Sequence, residues 1–160
     1  MARIYSVAFA ATTVANASGD VDWFEISPAD DKPVEIVGLH IATTSELAEA
    51  QEEWIAYQIL RGHTTSGSGG SAATPVDIGL AGVAAGFAAE VLNTTIASTT
   101  TPLICHAGAF QVRAGEQIWW PEGCGPSASQ ANTTIVVRQM AAVTDDVTMT
   151  GTLYVREMPG

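Results

Sequence analysis

The chain has 160 residues, of which 47% are hydrophobic and 14% are charged, and this composition suits one compact domain with a substantial core. Its 17 acidic and 6 basic residues give a formal net charge of -11. Lys32 is the single lysine and the five arginines are scattered, so the sequence lacks the basic cluster that phosphate backbones and anionic lipids attract. We therefore expect no nucleic acid and no membrane among the partners of this protein.

The recurring pattern is a short run of β-branched and aromatic residues that ends at Gly, Pro, Asp, Ser or Asn. In chain order the runs are residues 4–10, 21–26, 34–41, 54–61, 103–113, 117–120, 133–140 and 149–156. Residues 87–96 are a weaker candidate, because their alanines suit a helix as readily. Eight or nine short strands predict an all-β fold, an antiparallel β-sandwich or barrel, and the specific prediction is a jelly roll.

The first run admits a second interpretation. Arg3 precedes it and Ala15-Asn16-Ala17 follows it, which loosely imitates a secretory signal peptide. Hydroxyl residues interrupt the apolar region and there is only one positive charge, so we favour a first β-strand. In the later run at 103–113, Gly108 suggests a bulge or a bend.

Two segments depart from the strand pattern. Residues 45–53 begin with a serine that could cap a helix and continue with acidic residues and good helix formers, so we predict one short helix in a loop. Residues 62–75 are rich in Gly and Ser, which are costly to order and contribute few packing contacts. Because neither flanking part is long enough for a sandwich of its own, we predict a flexible surface loop within a single domain of residues 1–160.

The cysteines and histidines match no familiar site. Cys105 and Cys124 have no zinc or redox spacing, and we expect two small buried thiols of a protein made in a reducing cytosol. A disulfide between them, or a metal site that adds His106, stays open as an alternative. We predict no metal and no cofactor.

The motif search also predicts a protein that is not an enzyme. The serine-nucleophile elbow, the Walker-A loop and the dinucleotide fingerprint are all absent from the sequence. Adjacent acids such as Asp30-Asp31 and Asp145-Asp146 lie at predicted turns, where Asp is a preferred residue. We therefore predict no catalytic residues.

The strongest aromatic feature is Trp119-Trp120-Pro121. An exposed tryptophan pair could stack on sugar rings, whereas a buried pair could anchor a sheet edge or a subunit interface. With Tyr5 and Phe9 of the first run, Trp119 and Trp120 are the candidate interface or ligand-stacking residues. A carbohydrate-binding or receptor-binding adhesin module, of a phage fibre or a secreted protein, is the alternative function.

Three stretches carry a resemblance to a known family. They are ISPADDKP at 26–33, RGHTTSGSGG at 61–70 and TGTLYV at 150–155. These stretches resemble capsid decoration, or cement, proteins of tailed bacteriophages, and the resemblance extends over nearly the whole chain. It implies a β-sandwich or jelly roll, commonly a homotrimer, that binds the lattice of the major capsid protein and stabilises the head. It also implies a location on the capsid exterior of the virion, after synthesis in the host cytoplasm.

Overall fold

The computed structural model describes residues 3–45, 52–79, 82–129 and 133–159. Twelve strands lie in this part of the chain: β1 (Arg3–Val14), β2 (Val21–Pro28), β3 (Val34–Thr43), β4 (Trp54–His63), β5 (Ser71–Ala73), β6 (Val76–Asp77), β7 (Phe87–Asn93), β8 (Leu103–Gln111), β9 (Gly115–Trp119), β10 (Ser127–Ala128), β11 (Thr134–Gln139) and β12 (Val147–Glu157). The described residues contain no α-helix, only a 3-10 turn at Asn16–Ser18. The helix predicted at 45–53 falls mostly outside the described residues.

The strands form two antiparallel sheets. Sheet A has the order β10-β3-β12-β1-β6, and β9 also pairs with β3 on the side where β10 lies. Sheet B has the order β5-β7-β2-β11-β4-β8. The prediction of an all-β antiparallel sandwich is therefore confirmed, and the weak strand candidate at 87–96 is strand β7.

The strand pairing also identifies the sandwich as a jelly roll. The first long strand pairs with the last, since β1 lies beside β12, and the next pairs nest inside it as β2 with β11, β3 with β9 and β4 with β8. Successive pairs alternate between the two sheets, as they do when one long antiparallel ribbon wraps into a double Greek key. Strands β5, β6 and β7 belong to an insertion between β4 and β8 that widens the sheets at their other edges.

Alternating side chains of both sheets fill the space between them. Tyr5 packs edge-on against Phe87, with 5.6 Å between ring centroids. Trp23 lies against Tyr57 and Phe110, and its Nε1 donates to Oε1 of Gln139 at 3.2 Å. Burial of each such large side chain contributes about 1.5–3 kcal/mol. The period-2 pattern of the sequence is therefore the pattern of core contacts.

Gly108 has a different role from the one predicted. The register between β4 and β8 shifts between Ile59 and Leu60, and not at Gly108. A Cβ atom at Gly108 would lie 2.7 Å from the hydroxyl oxygen of Tyr57. The predicted run therefore does contain a bulge, but it lies at Cys105, between the pairs Ile59–His106 and Leu60–Ile104, whereas the missing side chain of Gly108 makes room for a tyrosine of the neighbouring strand.

The Gly/Ser-rich segment at 62–75 makes backbone contacts along its length. Thr65 forms a bridge with Ser98, Ser68 forms one with Thr95, and Ser71–Ala73 pairs with β7. Glu25 of β2 is buried and accepts hydrogen bonds from Ser66 Oγ at 2.6 Å and from the Gly67 amide at 2.9 Å. The mobility of this segment in solution stays a prediction, to be judged against these contacts.

A buried ion pair lies under the same covering layer. Asp22 of β2 accepts from Nε of Arg138 at 2.5 Å and from its Nη2 at 3.1 Å. The backbone of Ala97 completes the group, since its amide donates to Asp22 at 2.7 Å and its carbonyl accepts from Arg138 at 2.7 Å. Leu60, Val136 and Ala97 form a small second apolar cluster. The part of the outer face of sheet B around these residues is thus covered by its own chain.

Candidate functional site

Strand β8 is a long, uncharged edge strand. Among the described strands it pairs with β4 alone, so one side of its backbone has no strand partner. Its sequence LICHAGAFQ contains no Asp, Glu, Lys or Arg. Leu103 and Ile104 leave 53% and 61% of their surface exposed. Natural sheets usually protect such edges with charges, prolines or short strands, and the other edge strands of this sandwich are only two to five residues long.

A groove runs beside β8, on the side of the sandwich where β8 and β9 are the edge strands of the two sheets. We call this the open side of the sandwich. One part has a volume of about 410 Å³, and a second part of about 310 Å³ shares Arg61, Leu103 and Ser127 with it. The walls of the larger part are Arg61, Leu103, Ile104, Cys105, Trp120, Cys124, Gly125, Pro126 and Ser127. Arg61 is the one charged side chain among these lining residues, and its Nη1 donates to the Ser127 carbonyl at 3.2 Å. The groove lining is therefore a mixture of polar and apolar groups that contains the one positive charge of Arg61 and no Asp or Glu.

A small polar cluster lies at the base of this open side. The Tyr57 hydroxyl and Nε2 of His106 are 3.4 Å apart, and Trp120 meets the His106 ring edge-on at 5.7 Å. Burial, together with the charge of Glu116, raises the pKa of Tyr57 well above its ordinary value. The tyrosine therefore keeps its proton at neutral pH, and the cluster connects side chains of both sheets where the sandwich is open.

The outer face of sheet A is the second uncharged surface. Strand register places two rows of side chains across four strands on this face. The first row is Ser6, Tyr154, Gly38 and Trp119, and the second is Ala8, Thr152, His40 and Gln117. Neither row contains an Asp, Glu, Lys or Arg, although 23 residues of the chain are of these types. At the end of the face, Arg156 pairs with Glu35 and Glu122, so its charge is compensated.

Trp119 and Tyr154 form an aromatic platform on this face. Their ring centroids are 4.8 Å apart with an interplanar angle of 31°. The indole lies over Gly38, where a Cβ atom would be 2.6 Å from Cε3 of the tryptophan. Trp119 keeps 55% of its surface exposed. The glycine thus leaves room for a large ring to lie over the sheet, and the neighbouring row supplies imidazole, amide and hydroxyl groups.

The predicted site residues separate into three places. Trp119 and Trp120 do not share a platform, because Trp119 lies on the outer face of sheet A while Trp120 packs against the core and His106. Tyr5 is fully buried, and Phe9 packs on Phe24 with 5.2 Å between centroids. Tyr5 and Phe9 are therefore core residues and offer no surface to a partner in this structure. Of the four, Trp119 is on an open surface and Trp120 lines the groove.

The cysteines are exposed, which corrects the expectation of buried thiols. Cys105 and Cys124 are both free, and both line the groove beside β8. Desolvation by the surrounding atoms raises the pKa of the Cys105 thiol, and the positive charge of Arg61 acts weakly in the opposite direction. Cys105 is therefore protonated at neutral pH, the less reactive state of a thiol.

His63 is a further titratable group, and it is not among the residues that line the groove. His63 is buried, its Nδ1 is 3.4 Å from the Thr134 carbonyl, and burial and the charge of Arg138 lower its pKa. Within the described ranges, no three His, Cys, Asp or Glu side chains are grouped so that they could hold a metal ion. In the same ranges, no helix has the length and apolar character needed to cross a bilayer.

Sequence reasoning missed two parts of this site. Tyr154 is the aromatic partner of Trp119, and its strand shows plain alternation, so its outward position was predictable although its neighbour was not. The exposure of Leu103 and Ile104 carried no signal, because a hydrophobic run in a sandwich ordinarily predicts a buried strand. Only the pairing of β8 on one side distinguishes it from the core strands.

No protein-family model and no curated protein sequence matches the chain. Solved structures of infectious bursal disease virus are weakly similar to it. The Gx strain structure has 15% identity and a TM-score of 0.25, the T=1 particles 13% and 0.27, and the VP2 subviral particle 15% and 0.25. The matches cover 99–100% of this chain but only 41–43% of those chains. At these TM-scores the likeness carries no argument, and the jelly-roll assignment rests on strand pairing.

Proposed function

We propose that this chain is a non-enzymatic structural protein of a virion, a capsid decoration or cement protein that binds the lattice of the major capsid protein and stabilises the head. The observation that carries the proposal is the uncharged β8 edge and the groove beside it. The sequence resemblance at 26–33, 61–70 and 150–155 points to the same family. The jelly-roll architecture is one that viral capsid domains use, though lectins and cupins use it as well.

The β8 edge is suited to assembly because it has no charged residue although the chain as a whole is strongly acidic. A chain of net charge -11 repels copies of itself and any acidic partner at low ionic strength. Neither β8 nor the groove lining contains an Asp or Glu, and the interior of a protein interface is depleted in charge in the same way. An exposed strand of nine residues offers backbone donors and acceptors to a partner strand, while Leu103 and Ile104 supply apolar contact.

The chemistry of the site favours binding over catalysis. The Cys105 thiol and the Tyr57 hydroxyl both have raised pKa values, so neither is an activated nucleophile at neutral pH. His63 is buried and is not among the groove-lining residues, and His106 packs against Tyr57 and Trp120. We therefore include in the proposal that the protein is not an enzyme.

The test is co-sedimentation with shells of the major capsid protein encoded in the same genome. We expect the wild-type chain to pellet with the shells and to raise the temperature at which they fall apart. The variant Leu103→Lys/Ala107→Lys places two charges on β8 and should weaken binding about tenfold or more. Its matched control is Ala29→Lys/Ala88→Lys, which makes the same change in net charge at exposed positions elsewhere. A wild-type chain that stays in the supernatant, or equal binding by both variants, contradicts the proposal.

Oligomeric state is a separate part of the proposal. The family resemblance implies a homotrimer, in which several weak contacts act together on a symmetric lattice. Light scattering after size-exclusion chromatography should then give three times the 16.6 kDa mass of the chain. A monomer at micromolar concentration contradicts the trimer. Binding to the capsid lattice is then tested by co-sedimentation alone.

A further inference from the structure

We propose that the Trp119–Tyr154 platform is a binding site for neutral carbohydrate. The platform lies on the outer face of sheet A, whereas the proposed capsid contact lies on the β8 edge of sheet B. The inference therefore goes beyond capsid binding and does not depend on it. A decoration protein with this site would bind the capsid with one side and hold a surface polysaccharide with another.

The aromatic geometry is the first support. Trp119 lies over Gly38 with 55% of its surface exposed, and Tyr154 extends the aromatic surface from the neighbouring strand. Aromatic side chains with a single apolar face in water are suited to the C–H faces of sugar rings, because each ring buries area at low loss of conformational freedom.

The polar groups beside the platform are the second support. His40, Gln117 and Thr152 form the adjacent row on the same face, and His40 and Gln117 are exposed. Imidazole, amide and hydroxyl groups can donate to and accept from sugar hydroxyls. A flat aromatic surface with neutral hydrogen-bonding groups beside it has the composition of a saccharide site, in which a few polar groups fix orientation.

Charge decides which class of saccharide fits. Neither row of the face contains Lys or Arg, and the guanidinium of Arg156 at the end of the face is paired with Glu35 and Glu122. With a net charge of -11, the chain repels uronic-acid and sialic-acid polymers. The site therefore selects neutral glycans.

The probe is a printed array of purified bacterial surface polysaccharides, half of them neutral and half acidic, followed by calorimetric titration of a bound oligosaccharide. We expect binding to neutral glycans only. Trp119→Ala should weaken it about tenfold or more, while Trp119→Phe should retain part of it. Trp54→Ala is the matched control, because Trp54 is 65% exposed on β4, in the other sheet, and its loss should leave binding unchanged. Far-UV circular dichroism and melting temperature establish that each variant is folded.

Three outcomes overturn the inference. They are an array on which the protein binds no glycan, binding to acidic glycans only, and an equal loss of binding in Trp119→Ala and Trp54→Ala. A silent array combined with loss of shell co-sedimentation in Trp119→Ala would assign the platform to a protein contact instead. Shell binding that persists while glycan binding is absent separates failure of this inference from failure of the proposed function.

Discussion

The buried pair of Asp22 and Arg138 allows a test of what holds the covering layer on sheet B. Both side chains are almost fully buried, and the carboxylate has three donors: two nitrogens of Arg138 and the Ala97 amide. The substitution Arg138→Met removes two of these donors and leaves an unpaired buried charge. It also removes the donor to the Ala97 carbonyl.

The expected loss of stability is large. Removing one partner of a buried ion pair costs about 3–5 kcal/mol, out of a total unfolding free energy of about 5–15 kcal/mol for an ordinary domain. For a chain of this size each kcal/mol lowers the melting temperature by roughly 2–4 °C, so we expect a decrease of about 6–20 °C. Adding Asp22→Asn to Arg138→Met removes the stranded charge, and the double variant should be more stable than Arg138→Met alone.

Urea unfolding followed by tryptophan fluorescence, to which the buried Trp23 contributes, measures these free energies. Arg3→Met is the control, because Arg3 is exposed and its replacement should change stability by no more than about 0.5 kcal/mol. The reasoning is refuted if Arg138→Met loses less than about 1 kcal/mol. It is also refuted if the second substitution lowers stability further, since the charge of Asp22 would then not be the source of the loss.

Three further predictions concern single side chains. Burial lowers the pKa of His63, so as pH decreases the unfolded state binds a proton at this imidazole before the folded state does, and stability should fall below about pH 6.5. The variant His63→Gln should show a smaller fall of the urea midpoint with decreasing pH, and an equal pH dependence of the midpoint in variant and wild type would contradict this. Burial raises the pKa of the Cys105 thiol, so the rate of its alkylation by iodoacetamide should have a pH midpoint above the value of about 8.5 for a free thiol. Peptide mass spectrometry measures this rate, and a lower midpoint would contradict the raised pKa. Gly38→Val should displace the indole of Trp119, and acrylamide quenching in a Trp54→Phe background should then rise above that of the unsubstituted glycine; unchanged quenching counts against the close packing.

The strands were predictable because alternation is a local property. In β12 the inward residues Met149, Leu153 and Val155 alternate with half-exposed ones, and the same period appears in the sequence. The long strands follow the predicted runs to within a few residues, although β1 and β3 extend beyond the predicted end and β7 stops before it. The two-residue strands β6 and β10 carry too little pattern to be seen.

The polar residues of β2 show where local pattern stops being informative. Asp22 and Glu25 have the sequence character of solvent-facing residues, yet both are buried. They are satisfied by residues far along the chain, Arg138 for the first and, for the second, the Ser66 hydroxyl and the Gly67 amide. Burial of a carboxylate depends on which donors reach it, and donors from distant segments arrive only when the sheet and its covering layer assemble.

The all-β, acidic character and the position of most strands were thus determined by the sequence alone, because composition and period-2 alternation are read within a few residues. The tertiary structure decided which surfaces are free. It separated Trp119 from Trp120 and placed Tyr154 beside Trp119. It also left β8 paired on one side only among the described strands. Adjacent residues of a strand point to opposite faces, whereas neighbours on one face come from strands whose pairing is set by long-range contacts.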